Sequence, residues 1–341
     1  MKNTLLYLKA GLILVLCFYA FGMAQDEQEN VKLAQTGFQF LSVISDARAA
    51  AMAGAVSTMD MGSSALFFNP ATMARMSGTV DMSASYNEWI ADITHQSYSL
   101  AVNLSPGTGQ LGVVGISVQS VDYGDVIGTR VADNDQGFEF TDVINPSALA
   151  VGLGYAKSLS DRFYIGGQIR WVRQDLGQSV IAEKTQIDTT LIEKDNVLEP
   201  LAFDFGTLFE TGWKSLVFGM SVRNFSSEIE YAEEGFQLPL VFTLGISMDL
   251  MDLMEMGGPE QNLFISLNAS HYRSHPEQLL IGLDYRLMDI LSLRGGYVTN
   301  NDENGLSFGF GIQQFGLQLD YSYTPFGIFD NIQRMTARFS L

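Results

Sequence analysis

The sequence predicts an all-β protein, a transmembrane antiparallel β-barrel of about 14 strands with an N-terminal plug (hatch). Long stretches are apolar at every second residue, which describes a sheet with one face toward lipid and one toward water. These stretches run about ten residues, the span of a tilted membrane strand, whereas soluble strands average about 5–6. The clearest stretch alternates Leu306, Phe308, Phe310 and Ile312 with Ser307, Gly309, Gly311 and Gln313.

The N-terminus predicts export from the cytoplasm. Lys2 and Lys9 are followed by an apolar run over 11–21 and a small-x-small site, which predicts signal-peptide cleavage between Ala24 and Gln25. Cys17, the single cysteine, lies inside this run, so we expect neither disulfides nor thiolate metal sites in the mature chain. No later apolar run approaches the roughly 18 residues of a membrane helix. A closed barrel in the outer membrane of a diderm bacterium is therefore expected.

The strands divide the chain into three parts. We predict a signal peptide over 1–24, a plug over 25–77 and a transmembrane barrel over 78–341. An even strand number places the first and last strand ends on the same, periplasmic side. The predicted strands are 78–88, 94–104, 110–121, 147–158, 162–174, 200–210, 214–224, 239–249, 261–272, 278–287, 290–298, 305–314, 316–324 and 331–341.

The connections between strands alternate in length, as periplasmic turns and external loops do. Leu250 to Glu260 is an exception, a long connection on the short side. The long loop from Tyr123 to Pro146 is acidic and contains Phe138 and Phe140. Long loops often carry function, so Tyr123, Phe138 and Phe140 are candidate partner-binding residues. The loop carboxylates do not match a calcium-loop pattern, which favours a solvated loop.

Composition and spacing argue against catalysis, cofactors and nucleic-acid binding. With 38 acidic and 19 basic residues, the chain does not bind nucleic acid by neutralising phosphates. His271 and His275 have metal-ligand spacing only on a helix, and Pro276 argues against one. His95 has no spacing to a serine or carboxylate partner that would indicate a hydrolase. We expect no enzymatic activity and no cofactor or metal.

The alternation assigns each strand residue to the lipid face or to the lumen face, and this predicts how substitutions behave. A charge at lipid-facing Phe310 should be costly, whereas Gly311→Ser on the lumen face should cost much less. Glycines at 152, 154, 309 and 311 are interpreted as small lumen-facing positions that leave room for a plug.

Four segments carry a family resemblance. The first segment, Asp46 to Met76, has small residues after an arginine, then Ser-Ala-Leu, aromatics and Asn-Pro-Ala. Its sequence is DARAAAMAGAVSTMDMGSSALFFNPATMARM. It resembles the opening of the PorV/PorQ family of outer-membrane proteins. Three further segments match the family in the same order. They are NFSSEIEYAEEGFQLPL at 224–240, LSLRGGY at 291–297 and DYSYTPFG at 320–327. The C-terminal NIQRMTARFSL lacks an expected histidine near Gln333, which leaves the PorV-like or PorQ-like branch open.

The family is similar in architecture to the long-chain fatty-acid transporter barrel, whose plug carries Asn-Pro-Ala. The resemblance implies a plug that includes Arg48, Gly54, Asn69, Pro70 and Ala71. Pro70 removes a donor and keeps Asn69 out of the helical region, so the chain must bend there. The alternative interpretation is that Asn69-Pro70-Ala71 is only a turn before the first strand. Arg48 either pairs with a lumen carboxylate or is solvated.

The resemblance implies a function in type IX protein secretion. PorV-like members associate with the large translocon barrel, receive cargo by its C-terminal signal domain and pass it to the cell-surface attachment machinery. Two alternatives remain from the residues alone: a transporter of hydrophobic, fatty-acid-like ligands through the lumen, and a purely structural protein surrounded by outer-membrane lipid.

Overall fold

Fourteen antiparallel strands close into a barrel in the computed structural model, which describes residues 36–107, 109–184, 189–230, 235–254, 261–301, 305–327, 329 and 331–341. The predicted signal peptide and residues 25–35 of the predicted plug lie outside the described residues.

Every predicted strand has an observed counterpart. The barrel strands are β1 (Val80–Glu88), β2 (Thr94–Asn103), β3 (Val113–Asp122), β6 (Ser147–Ser160), β7 (Phe163–Lys184), β9 (Leu201–Glu210), β10 (Val217–Phe225), β13 (Val241–Asp249), β14 (Gln261–Tyr272), β15 (Gln278–Leu287), β16 (Leu291–Val298), β17 (Leu306–Gln314), β18 (Leu317–Thr324) and β19 (Ile332–Ser340).

Each barrel strand pairs with its sequence neighbours in the barrel, and the first strand closes on the last. β1 pairs with β19 from Asp81↔Ser340 to Glu88↔Gln333. β3 keeps an unbroken register with β2 and with β6. Closure pairs both edges of the described sheet with a neighbouring strand, which is how a barrel satisfies its backbone groups in lipid.

The burial pattern is the reverse of that in a soluble protein. Along β1, Asp81, Ser83, Ser85 and Asn87 are buried while Met82 and Tyr86 are exposed. Along β17, Phe310 is 45% exposed and Gly311 is buried, as the alternation predicts. Apolar side chains on the outside and polar ones inside are the arrangement that lipid requires.

The two rims differ, because short turns lie at one and long loops at the other. At the turn rim the backbone N–H of Thr79 donates to the carbonyl of Leu341, so both ends of the barrel sheet lie there. The long connection after β13 contains a helix, Leu250–Met254, and its continuation over 255–260 lies outside the described residues. By the usual architecture the turn rim is periplasmic and the loop rim external.

Three loops at the loop rim contain additional strands. They are β4 (Val126–Val131) paired with β5 (Phe138–Ile144), β8 (Thr189–Leu198) paired with the end of β7, and β11 (Ile229–Glu230) paired with β12 (Gly235–Phe236). The region from Tyr123 to Pro146 is thus largely a β-hairpin, which the sequence analysis did not predict because its strands lack clear alternation.

Short helices rather than strands form the plug. They are the α-helix Ala47–Ala51 and the 3-10 helices Gln39–Ser42, Gly62–Phe67 and Pro70–Arg75; a further 3-10 turn, Ile90–Asp92, joins β1 to β2. Alanines, glycines and methionines allow these helices to pack closely inside the wall. No helix among the described residues is long and apolar enough to span a bilayer.

Candidate functional site

The plug passes through the lumen once, from the loop rim to the turn rim. Thr36 forms a parallel bridge with Gln237, and Phe38 stacks on Phe236, both in the loop between β10 and β13. At the other end, Met76 packs in an apolar cluster with Val113 and other residues near the turn rim. Residues between these two ends fill the lumen and are mostly buried.

Asn69 fixes the plug to the wall. Its side chain is fully buried, and its Nδ2 donates to the carbonyl of Ser57 at 2.8 Å and to that of Thr207 on β9 at 3.1 Å. Its Oδ1 accepts from the N–H of Ala71 at 3.1 Å and so caps the helix that begins at Pro70. The triplet therefore lies against β9 inside the lumen and is more than a turn before β1. An amide suits this position because it donates to two carbonyls and accepts from the helix.

A belt of lumen-facing glycines lets the plug backbone approach the wall. A methyl group at Gly206 would overlap Asn69 Oδ1, and one at Gly166 would overlap the backbone of Pro70 and Ala71. Nine glycines on nine strands have plug atoms in the space that a side chain would need: Gly115, Gly154, Gly166, Gly206, Gly219, Gly245, Gly282, Gly296 and Gly309. Close packing on so many strands holds the plug on most of its circumference.

Of the four glycines interpreted as small lumen-facing positions that leave room for a plug, two have side chains of the wall as their nearest neighbours. Gly154 and Gly309 do face the plug, at Leu66 and Ala51 respectively. Gly152 faces Ser117, Gln168 and Arg170 instead, and Gly311 faces Asp320 and Arg294. A side chain at Gly311 would have to shift the buried pair of Arg294 and Asp320, and that Gly311→Ser costs much less than a charge at Phe310 stays a prediction.

Gly54 follows the helix Ala47–Ala51, two residues after its C-cap Met52. Its φ of +80° lies in the left-handed region that glycine adopts without strain, and its N–H donates to the carbonyl of Ala49 at 2.8 Å. Asn268 on β14 donates to the Gly54 carbonyl at 3.3 Å, which connects this helix end to the wall.

Arg48 joins the same helix to a carboxylate of the wall. Its Nη2 lies 3.3 Å from Asp284 Oδ2 on β15, and its Nη1 donates to the carbonyl of Asp60 at 2.6 Å. Of the two alternatives for Arg48, pairing with a lumen carboxylate or solvation, the structure has the lumen pairing.

Asp284 is the centre of a larger ionic network in the lumen. Its carboxylate accepts from Arg286 at 3.1 Å and from Arg294 at 3.1 Å, in addition to Arg48. Arg294 also donates to Asp320 on β18 at 2.6 Å. Both carboxylates and Arg294 are almost fully buried. The network joins β15, β16, β18 and the plug, and losing one member would leave buried charges without partners.

Two further ionic clusters lie elsewhere around the lumen. In one, Asp81 accepts from Arg338 at 2.8 Å and from the N–H of Ser63 in the plug at 2.7 Å. In the other, Arg170 and Asp204 pair at 2.9 Å, and Arg170 also donates to Asn224. The sequence analysis did not identify these residues, although a signal was present: each charge occupies a lumen-facing position between two apolar residues of a predicted strand.

The histidines form no recognisable catalytic or metal site. His271 Nδ1 lies 2.9 Å from Glu277, whereas His275 contacts Ser274. His95 is buried beside Trp89, and no hydrogen-bond partner of its Nδ1 is found in the described part of the chain. The described residues contain no group of three potential metal ligands.

The three candidate partner-binding residues are in different environments. Tyr123 packs in the apolar cluster beneath the loop rim, and its hydroxyl accepts from Gln174 at 3.4 Å. Phe138 and Phe140 lie on β5, with ring centroids 5.6 Å apart in an edge-to-face arrangement, and Phe140 is 68% exposed. The structure thus leaves the two phenylalanines accessible and makes Tyr123 part of the support.

Solved structures show the same fold at low sequence identity. The toluene transporter TbuX of Ralstonia pickettii has a TM-score of 0.57 and 11% identity over 86% of this chain and 98% of its own. The toluene transporter TodX of Pseudomonas putida has a TM-score of 0.55 and 12% identity over 86% and 96%. A FadL homologue of Pseudomonas aeruginosa has a TM-score of 0.51 and 11% identity over 87% and 98%. No curated protein sequence matches the chain.

A family model gives the assignment that the fold alone does not. The model described as "Type IX secretion system protein PorV" matches residues 25–256, which is more than half of the chain. The sequence resemblance to the PorV/PorQ family is thereby confirmed, as is the outer-membrane barrel that it implies. The match assigns the chain to a secretion system and not to an enzyme family. The chain belongs to the PorV family of type IX secretion system proteins.

Proposed function

We propose that this protein is a closed, outer-membrane carrier that receives exported cargo on its external loops and passes it to the attachment machinery. The observation that carries the proposal is the filled lumen: Asn69, Arg48 and the glycine belt fix the plug at separate points of the wall. With the lumen occupied, the loops remain the surface on which a secretion partner can bind.

The specific partners proposed are the translocon barrel, the C-terminal signal domains of cargo and the attachment machinery. Family membership supports partners from the secretion machinery in general. Phe138 and Phe140 are the proposed contacts on the loop rim, while Arg48, Gly54 and the Asn69-Pro70-Ala71 triplet are proposed to hold the plug. We also propose that the mature chain begins at Gln25, and the family model, which starts at residue 25, supports this boundary.

Transport of a hydrophobic ligand is the second candidate function. It is favoured by the fold shared with two toluene transporters and a FadL homologue. Two features argue against it here. The plug occupies the lumen between the rims, which leaves no path for a ligand along the barrel axis. β3 also pairs without interruption with β2 and with β6, so the wall has no sideways opening at that strand through which a ligand could pass.

A gene deletion in the native host distinguishes the two functions. If the carrier proposal is right, cargo with C-terminal signal domains accumulates in the periplasm, and a plasmid copy of the gene restores its appearance on the cell surface. Uptake of a long-chain fatty acid should be unchanged. Normal cargo export together with loss of fatty-acid uptake would instead establish the transporter function.

A further inference from the structure

Two hairpins extend beyond the barrel wall at the loop rim and lie against each other. β7 pairs with β9 as far as Trp171↔Leu201, and from Gln174↔Leu198 onward it pairs with β8. Ile144, at the end of β5, packs over Gly177 of β7 so closely that a methyl group at Gly177 would overlap it. We call β4–β5, together with the part of β7 that it contacts at Gly177, the external platform.

The platform exposes large apolar side chains outside the lipid-facing band. Ile127 is 64% exposed, Val131 93% and Phe140 68%, all on the β4–β5 hairpin. Exposed apolar clusters on a protein surface typically mark an interaction site. Aromatic side chains such as Phe140 are common anchors in protein interfaces.

The platform is also strongly acidic. Residues 122–146 contain six carboxylates and one guanidinium, that of Arg130, which already pairs with Glu139. In the adjacent hairpin Arg173 already pairs with Glu199 at 2.8 Å. The remaining carboxylates, those of Asp133 and Asp135 at the hairpin tip and of Asp142 on β5, therefore contribute uncompensated negative charge around the apolar cluster.

These properties select the kind of partner. A second copy of the chain would place two acidic surfaces together, and anionic lipid headgroups would be repelled in the same way. A protein surface with basic side chains around an apolar centre is complementary in both charge and polarity. We propose that the external platform binds such a basic surface, and that in this chain it is provided by exported cargo. This inference rests on the carrier function proposed above.

The test measures binding of one purified cargo C-terminal signal domain to the full-length protein in detergent or nanodiscs. Phe140→Ser should weaken binding about tenfold or more, because it removes a candidate anchor. The double change Asp133→Lys and Asp135→Lys should also weaken binding about tenfold at 50 mM salt. That second effect should largely disappear near 1 M salt, where the Debye length is about 3 Å.

Matched controls lie at the opposite rim. Phe315 is 91% exposed in the β17–β18 turn, and Asp289 lies exposed in the β15–β16 turn. Phe315→Ser and Asp289→Lys should leave cargo binding unchanged. Heat-modified migration on gels checks that every variant is a folded barrel.

The outcomes separate this inference from the function on which it rests. If the deletion strain traps cargo but both platform variants bind the signal domain like wild type, cargo binds elsewhere and the platform inference is overturned. Binding that strengthens on charge reversal would exclude a basic partner surface. If the deletion strain exports cargo normally, the carrier function itself fails.

Discussion

Single residues decide how closely the plug approaches the wall. At Gly206 the Cβ position is occupied by Asn69 Oδ1, the same atom that caps the helix beginning at Pro70. At Gly167, on the neighbouring strand, a Cβ would have no neighbour nearer than 3.4 Å. Gly206 faces the lumen and the plug, whereas Gly167 pairs with the exposed Phe205 and faces outward, so only the first position is crowded by the plug.

We expect Gly206→Ala to destabilise the protein and Gly167→Ala to be nearly neutral. The first change forces Asn69 away from its three hydrogen bonds, and overpacking of this kind typically costs about 1–3 kcal/mol. Urea unfolding of both variants in lipid vesicles measures the difference. Equal stability of the two variants would show that the plug is not seated against β9.

At the scale of the strand, the alternation separates lipid from lumen. Phe310 is in the outward-facing row of β17, beside Tyr321 of β18 at a centroid distance of 5.6 Å. Gly311, the next residue, faces the ion pair of Arg294 and Asp320. A shift of one residue would exchange these two environments, so the register of each strand is strongly determined.

Phe310→Arg should destabilise the barrel by about 2–4 kcal/mol, because it places a charge on the lipid face near mid-strand. Phe310→Leu, the matched apolar change, should have a much smaller effect. The yield of heat-modifiable, folded protein from refolding into vesicles reports both. A tolerated arginine at this position would mean that this face of β17 does not contact lipid.

For the whole molecule, the plug closes a barrel that would otherwise contain a wide polar lumen. Its removal would expose the ionic clusters of the wall to water, where single charges are readily hydrated. The wall itself is closed by strand pairing and does not depend on the plug for its backbone hydrogen bonds.

Deleting Asp46 to Met76 should therefore leave an insertable barrel that conducts ions in planar bilayers and admits large antibiotics into cells. The intact protein should show neither property. An internal deletion of residues 132–136 at the tip of the β4–β5 hairpin is the control, since it shortens a loop without opening the lumen. Identical conductance before and after plug deletion would contradict a closed lumen.

Local pattern alone determined the membrane strands, the barrel and the side of each strand that faces lipid. This was possible because alternation along a strand is a property of consecutive residues, as with Phe310 and Gly311. The Asp46 to Met76 motifs likewise indicated the family, which the match over residues 25–256 confirms.

Only the tertiary structure decided which residues meet across the lumen. Asp284 and Arg48 are separated by 236 positions, and Gly206 and Asn69 by 137, so their contacts depend on the closure of the sheet around the plug. The structure likewise decided that Gly311 faces an ion pair and that Tyr123 supports the loop rim. The physical reason is that strand alternation is local, whereas a packed lumen joins residues from every part of the chain.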